Sequence, residues 1–136
     1  MEAMTPDELL QEYRRWALAR GESEDHRVAN AAHTRLLAVV RELRDAGQGG
    51  RILELLDDPS EHIRLRAGFD ALHLSPDDGV PVLRELAEGP PGEVCASAGT
   101  ILDLWESGKL ILSPWNEPRE EMTAGDGGDN SEVDRQ

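Results

Sequence analysis

The feature that most constrains the fold is the spacing of the apolar residues between turns that contain Pro or Gly. In six segments these residues recur every three or four positions, as expected for helices that each bury one face. No segment alternates apolar and polar residues over five positions between turns, which a half-buried strand would require. The spacing therefore predicts an all-α chain.

Local signals mark the ends of the predicted helices. Thr5-Pro6-Asp7-Glu8 has the composition of a capped helix start, and Gly21 ends this first helix. The second helix begins near Ser23 or Asp25 and ends at Gly47. The third helix is predicted over residues 51–56 and the fourth from about residue 60 to 74. The fifth follows a predicted cap at residues 75–78 and has its apolar residues over 80–87, and the sixth has them over 94–105 and ends at Gly108.

The third and fourth predicted helices match the fifth and sixth after a shift of 31 residues. Under this shift Ile52 falls on Leu83 and Pro59 on Pro90. A repeat of one helix pair is typical of a helical solenoid, in which each pair buries its apolar face against the next. We therefore predict three antiparallel helix pairs, with the first two helices as a diverged pair. An irregular six-helix bundle with coincident turns is the alternative.

The composition changes after Leu112. Residues 113–136 hold seven acidic and two basic residues with two Pro and three Gly, too polar to offset the entropy of folding. The sequence thus predicts a helical domain over residues 1–112 and a disordered acidic tail over residues 113–136. Trp115 is the exception, a large aromatic side chain suited to dock back onto the domain.

The charge balance narrows the possible functions. With 14 basic and 28 acidic residues the net charge is −14, which argues against nucleic-acid binding and favours a partner with a basic surface. The longest apolar run, at residues 36–40, has five residues, whereas a membrane span needs about 18. The first thirty residues lack the pattern of a signal peptide. We expect a cytoplasmic protein that does not bind membranes.

No strong catalytic or metal-binding pattern stands out. His26 and His33 are seven residues apart, two helical turns, which is too far for one zinc ion without other ligands. Cys95 is the single cysteine, and the pair Asp77-Asp78 suits the first turn of a helix. We expect no cofactor, no metal and no enzymatic activity.

The second helices of the pairs in a solenoid form a concave face that commonly binds partners. Asp70 is the least explained residue there, because the repeat places it on the apolar Ile101. It either faces solvent, pairs with Arg35 or Arg66, or belongs to an acidic patch that faces a ligand. The candidate partner-binding residues on the concave face and the inter-repeat turns are Asn30, His33, Glu61, Arg64, Asp70, Asp77, Asp78, Glu93, Asp103 and Trp105.

The stretch from Leu55 to Ala67, a Leu-rich helix end, an Asp-Pro turn and an aliphatic-Arg-x-x-Ala helix, looks like HEAT-repeat sequence. More narrowly, residues 12–110 resemble a family of short bacterial HEAT-like proteins catalogued as a domain of unknown function. The matching positions are Asn30, Ile63-Arg64-Leu65 with Ala67, Ala71-Leu72 before Pro76, Val82-Leu83 with Leu86-Ala87, and Leu104-Trp105 with Gly108-Lys109-Leu110. Arg66 stands where the family favours Trp.

The resemblance implies a HEAT-like right-handed solenoid. It also implies the function, because members look like immunity proteins that accompany secreted or contact-delivered bacterial toxins. The expected activity is direct, non-catalytic binding of a cognate toxin. The alternatives are an adaptor in a housekeeping complex and, from another class, a helical-repeat enzyme.

Overall fold

The structure, a computed structural model, describes residues 4–117, and every regular element within that range is helical. The elements are α1 (Pro6–Glu22), α2 (His26–Asp45), a 3₁₀ helix (Gly49–Leu55), α3 (Glu61–Leu74), α4 (Pro76–Ala87) and α5 (Glu93–Glu106). The all-α prediction is confirmed for the described part of the chain.

Three of the predicted helix starts, those of α1, α2 and α3, coincide with hydrogen-bonded side-chain caps. The predicted start of α4 at residues 75–78 has no such cap, because Ser75 Oγ donates to Asp78 Oδ2 and accepts no backbone amide. The backbone amide of Glu8 donates to Thr5 Oγ1 at 3.1 Å, and that of Thr5 donates to Glu8 Oε1 at 2.8 Å. This reciprocal pair satisfies two amides that the first turn of α1 leaves unpaired. The caps of α2 and α3 are single hydrogen bonds. Asp25 accepts from the backbone amide of Arg27, and Ser60 accepts from that of His62.

The third predicted helix differs most from expectation. It begins at Gly49 rather than Arg51, ends at Leu55, and has 3₁₀ geometry without a side-chain cap. A seven-residue segment between Gly-rich and Asp-Pro turns is too short to gain from α-helical bonding, and short connectors commonly take this form.

The buried residues form two apolar clusters. The first joins α1, α2, the 3₁₀ helix and the first half of α3, and the second joins α4 and α5 to the end of α3. Each α-helix packs against one that precedes or follows it, in the pairs α1–α2, α3–α4 and α4–α5. Within the first cluster, α1 packs against α3 more extensively than α2 does. This last contact brings the end of α1 beside the start of α3.

The residues after Leu112 continue to contact the helices. Trp115 is buried and its ring stacks on His73, with ring centroids 4.9 Å apart. Glu117 accepts a hydrogen bond of 3.0 Å from Arg41 Nε on α2. Part of the segment predicted as tail, residues 113–117, is therefore docked, and the rest of the predicted tail, residues 118–136, lies outside the described residues.

Two glycines set the separation of α3 and α4. A Cβ atom added to Gly79 would lie 2.9 Å from Ala71 Cβ and 3.0 Å from the Gly68 carbonyl oxygen. Both neighbours are held by the α3 backbone, so neither can move without shifting the helix. Gly79 therefore permits the close approach that buries Leu83 against α3.

Gly79→Ala is expected to destabilise the protein. The substitution gains about 1 kcal/mol of helix propensity, but the overlap with α3 costs about 1–3 kcal/mol, so the net effect should be a loss. Gly99→Ala on α5 is the matched control, because nothing lies within 4 Å of its added Cβ. Urea unfolding should show Gly99→Ala at or above the stability of the parent chain and Gly79→Ala below it. Equal stability of the two variants would contradict this account of the α3–α4 contact.

Candidate functional site

The candidate site is a groove where the end of α1 meets α2, α3 and α5, called the four-helix groove below. It consists of two adjoining cavities that share several lining residues, among them Arg20. One has a volume of about 460 Å³ and is named the inner cavity, and the other has about 510 Å³ and is named the outer cavity. The apolar side chains that line the inner cavity, named its base below, are Ala17, Leu36, Leu65, Phe69 and Ile101. Such a mixture of apolar base and a few polar groups is typical of binding cavities.

Gly21 positions one wall of the groove. A Cβ atom at this residue would lie 2.8 Å from Cβ of His62 and closer still to the imidazole ring. Because the contact reaches His62 Cβ, a rotation of the side chain would not relieve it. The glycine that ends the apolar pattern of α1 thus lets the first turn of α3 approach closely and places His62 in the groove.

The inner cavity is lined by four basic side chains and no acidic one. They are Arg20, His33, His62 and Arg66. Burial and the nearby Arg66 lower the pKa of Arg20, and Glu93 opposes this shift. An arginine nevertheless stays charged in proteins, so this cavity is cationic in a chain whose net charge is −14.

His33 adds an unsatisfied polar atom. Burial, followed by the charges of Arg20 and Arg66, lowers the pKa of His33, so its imidazole is neutral at neutral pH. Its Nδ1 atom is buried and has no hydrogen-bond partner among the described residues. Buried polar atoms are nearly always paired, so His33 is an exception among the residues that line this cavity.

Arg66 is held in place by a buried carboxylate. Its Nε and Nη2 atoms donate to the two oxygens of Asp70, each at 3.0 Å, and its guanidinium lies 4.8 Å from the centre of the Phe69 ring. Burial, the largest single influence, lowers the pKa of Arg66, but the charges of Asp70 and Tyr13 and the hydrogen bonds to them together raise it above its ordinary value. The side chain therefore presents a fixed positive charge to the groove.

Asp70 also accepts hydrogen bonds from two distant aromatic residues. Tyr13 on α1 donates from its hydroxyl at 2.6 Å, and Trp115 donates from Nε1 at 2.9 Å. Asp70 has no exposed surface. The prediction that it contacts a partner is therefore wrong. Of the alternatives left open by the sequence, the pairing with Arg66 is the one observed, because four donors converge on this carboxylate inside the core.

The other candidate residues divide into separate groups. Asn30, His33 and Glu93 line the outer cavity of the groove. Glu61, Asp77, Asp78 and Asp103 are exposed outside the groove lining, and Trp105 is half-buried against the second apolar cluster. Arg64 Nη1 donates to the carbonyls of Asp58 and Pro59, so it closes the turn before α3.

Sequence reasoning missed Arg20 and His62 as groove residues. Both lie at helix ends that meet only because α1 packs on α3, and the repeat pattern carries no signal for that contact. The sequence indicates their position only weakly, because all that the two share is that each lies next to the apolar stripe of its helix.

Other kinds of site are not evident in residues 4–117. No group of three or more His, Cys, Asp or Glu side chains there is arranged to hold a metal ion. Cys95 is half-buried, with its thiol directed at the carbonyl of Ala87 at 3.1 Å. None of the described helices combines the length and apolarity needed to cross a membrane.

Comparison with known proteins adds no relative. No family model matches the chain, and neither a curated protein nor a solved structure is detectably similar to it.

Trp115→Phe tests the hydrogen bond from the C-terminal segment to the buried carboxylate. Phenylalanine keeps a ring against His73 but removes the Nε1 donor, so Asp70 loses one of its four hydrogen bonds. We expect a loss of about 1–3 kcal/mol in the free energy of unfolding. Trp115→Ala also removes the ring and should lose about 3–5 kcal/mol. Urea unfolding measures both, and a Trp115→Phe variant as stable as the parent chain would refute the role of this bond.

The ionisation of Tyr13 provides a second test of the same network. Burial first, and then the charge of Asp70, raise the pKa of Tyr13 well above 10.0. Because the folded-state value is the higher one, the stability contribution of Tyr13 is complete below the unfolded pKa of about 10 and is lost as the pH rises further. Tyr13 is the single tyrosine of the chain, so its phenolate absorbance can be followed directly. The midpoint should lie above 10 in the folded protein and return to about 10 in urea; equal midpoints would contradict the network.

Proposed function

We propose that this chain is a non-catalytic protein-binding module whose partner contacts the four-helix groove. The observation that carries the proposal is the inner cavity, in which an apolar base and cationic walls lie together without a carboxylate from the same chain among their lining residues. A partner side chain that enters such a cavity is desolvated on its apolar side and meets charged donors on the other. Anchors of this kind contribute most of the affinity at protein interfaces.

For the architecture, we propose a HEAT-like right-handed solenoid of three antiparallel pairs, namely α1–α2, the 3₁₀ helix with α3, and α4–α5. The 31-residue repeat and the packing of α3 and α4 on their neighbours support it. In this arrangement the groove belongs to the face formed by α2, α3 and α5, with the end of α1 at its base.

For the biological role, we propose that the protein is an immunity protein that neutralises a cognate bacterial toxin by direct binding in the cytoplasm. The resemblance over residues 12–110 supports this role. The net charge of −14 supports a partner with a basic surface, because the field of an acidic protein speeds the encounter with such a partner. An adaptor in a housekeeping complex is the second candidate and shares the same groove.

Growth rescue tests the immunity role. The C-terminal domain of the protein encoded immediately upstream would be expressed in a laboratory bacterium, and viable counts would be scored with and without this chain. Killing that this chain prevents is the expected result. A neighbour that is harmless, or that kills in the presence of this chain, would overturn the immunity role and leave the adaptor as the better candidate.

The exposed acids of α4 test electrostatic steering toward the toxin. Asp77→Lys with Asp78→Lys should slow association several-fold at low salt and little at high salt, because steering is screened by ions. Glu42→Lys with Glu88→Lys is the matched control, since it changes the net charge equally at two other exposed acids. Stopped-flow mixing with the toxin measures both rates. An association rate that neither pair changes would show that the partner is not steered by a basic surface.

A further inference from the structure

The arginines of the groove indicate which chemical group a ligand would carry. Of the eleven arginines within residues 4–117, ten have a carboxylate, carbonyl or aromatic ring as a direct partner. Arg20 is the remaining one: no hydrogen bond, ion pair or ring contact involves its guanidinium, although Glu93 exerts a longer-range attraction. Arg20 is exposed, so its guanidinium is available to a ligand that enters the groove.

The residues around Arg20 add positive charge to its surroundings and do not compensate it. Arg66 lies close enough to repel it, and both arginines repel a proton on His33. Like charges held together are unfavourable unless a counter-charge joins them. The acids nearest the groove, Glu24 and Glu93, line the outer cavity, whereas the lining of the inner cavity contains no acid. A carboxylate in the inner cavity would pair with Arg20 and reduce this repulsion.

The base of the inner cavity specifies the rest of the ligand. Leu65, Phe69 and Ile101 offer apolar surface directly beside the cations. Inorganic phosphate would leave that surface in water, and a lysine or arginine side chain would enter a site that already repels positive charge. In a ligand with a carboxylate next to a bulky apolar side chain, the carboxylate pairs with the cations and the apolar side chain covers the apolar surface.

We propose that the inner cavity binds an acidic residue of the partner protein, an Asp or Glu adjacent to a bulky apolar residue, with Arg20 as the residue that recognises the carboxylate. The proposal rests on the protein-binding function proposed above and specifies the segment that the groove accepts. The partner's surface around this segment is basic, while the segment itself carries the acid.

Blocked peptides test the proposal with the full chain. The probe is an acetylated and amidated heptapeptide, Gly-Ser-Phe-Glu-Leu-Ser-Gly, and its matched forms carry Gln or Lys in place of Glu. Binding is followed by amide chemical-shift changes and by calorimetry. The Glu peptide should shift the amides of Gly21, Ser97 and Thr100, and the Gln peptide should bind roughly tenfold or more weakly, because a charge-assisted bond is lost.

Variants of Arg20 assign the effect to the cavity. Arg20→Gln should weaken the Glu peptide roughly tenfold and leave the Gln peptide unchanged, and Arg20→Glu should reverse the preference in favour of the Lys peptide. Arg35→Gln is the control, because Arg35 is exposed and contacts Trp16 outside the inner cavity. Arg20 is exposed as well, so urea unfolding should show that both variants remain folded.

Several results would overturn the proposal. These are equal binding of the three peptides, preference for the Lys peptide by the parent chain, binding of none of them, or indifference to Arg20→Glu. Self-association that Arg20→Glu abolishes would assign the cavity to a second copy of the chain instead. If the parent chain rescues growth and Arg20→Gln rescues it equally well, the acidic segment is wrong but the immunity role stands. If the Glu peptide binds but the chain does not rescue growth, the immunity role is wrong but the acidic segment stands.

Discussion

The structure depends on one buried carboxylate. Asp70 has no contact with solvent, and an ionised carboxyl group in that position costs several kcal/mol unless charged and polar donors compensate it. Arg66, Tyr13 and Trp115 supply four hydrogen bonds between them. These residues come from α1, α3 and the segment after α5, so the requirement of a single side chain joins three parts of the chain. Removing any donor leaves a charge short of partners, which is more costly than never having buried it.

The same carboxylate organises the groove. The Arg66–Asp70 pair has almost no net charge, but only its positive member borders the inner cavity. Arg66 lines this cavity, and Asp70 is not among the lining residues. The groove therefore faces the positive end of the pair, which explains why Arg20 and His33 experience repulsion from a residue that already has a counter-ion. A structural interaction of the core thus sets the electrostatic character of the surface above it.

Much of the fold could be predicted because helix signals are local. The Thr5–Glu8 cap and the turn at Pro59 depend on residues within a few positions of each other, and the structure has both. Asp70 was recognisable as an anomaly because the repeat placed it on Ile101, and Arg66 was one of the two arginines considered as its partner. Tyr13 and Trp115 lie 57 and 45 residues from Asp70 in the chain, so no local pattern indicates them. The groove was harder still, since Arg20 faces it only because α1 packs on α3.

Charge acts on two length scales in this protein. The net charge of −14 acts on an approaching partner over distances up to the Debye length of about 8 Å, beyond which salt screens it, whereas the inner cavity acts only on groups in contact with its walls. A partner that is basic overall but inserts one acidic residue is attracted by the net charge and also fits the inner cavity. A uniformly basic partner is attracted but does not fit the cavity, and a uniformly acidic partner fits the cavity but is repelled. Discrimination of this kind is a form of specificity that net charge alone does not provide. Since a protein that neutralises one toxin must ignore other basic proteins, a cationic cavity within an acidic surface is consistent with that task.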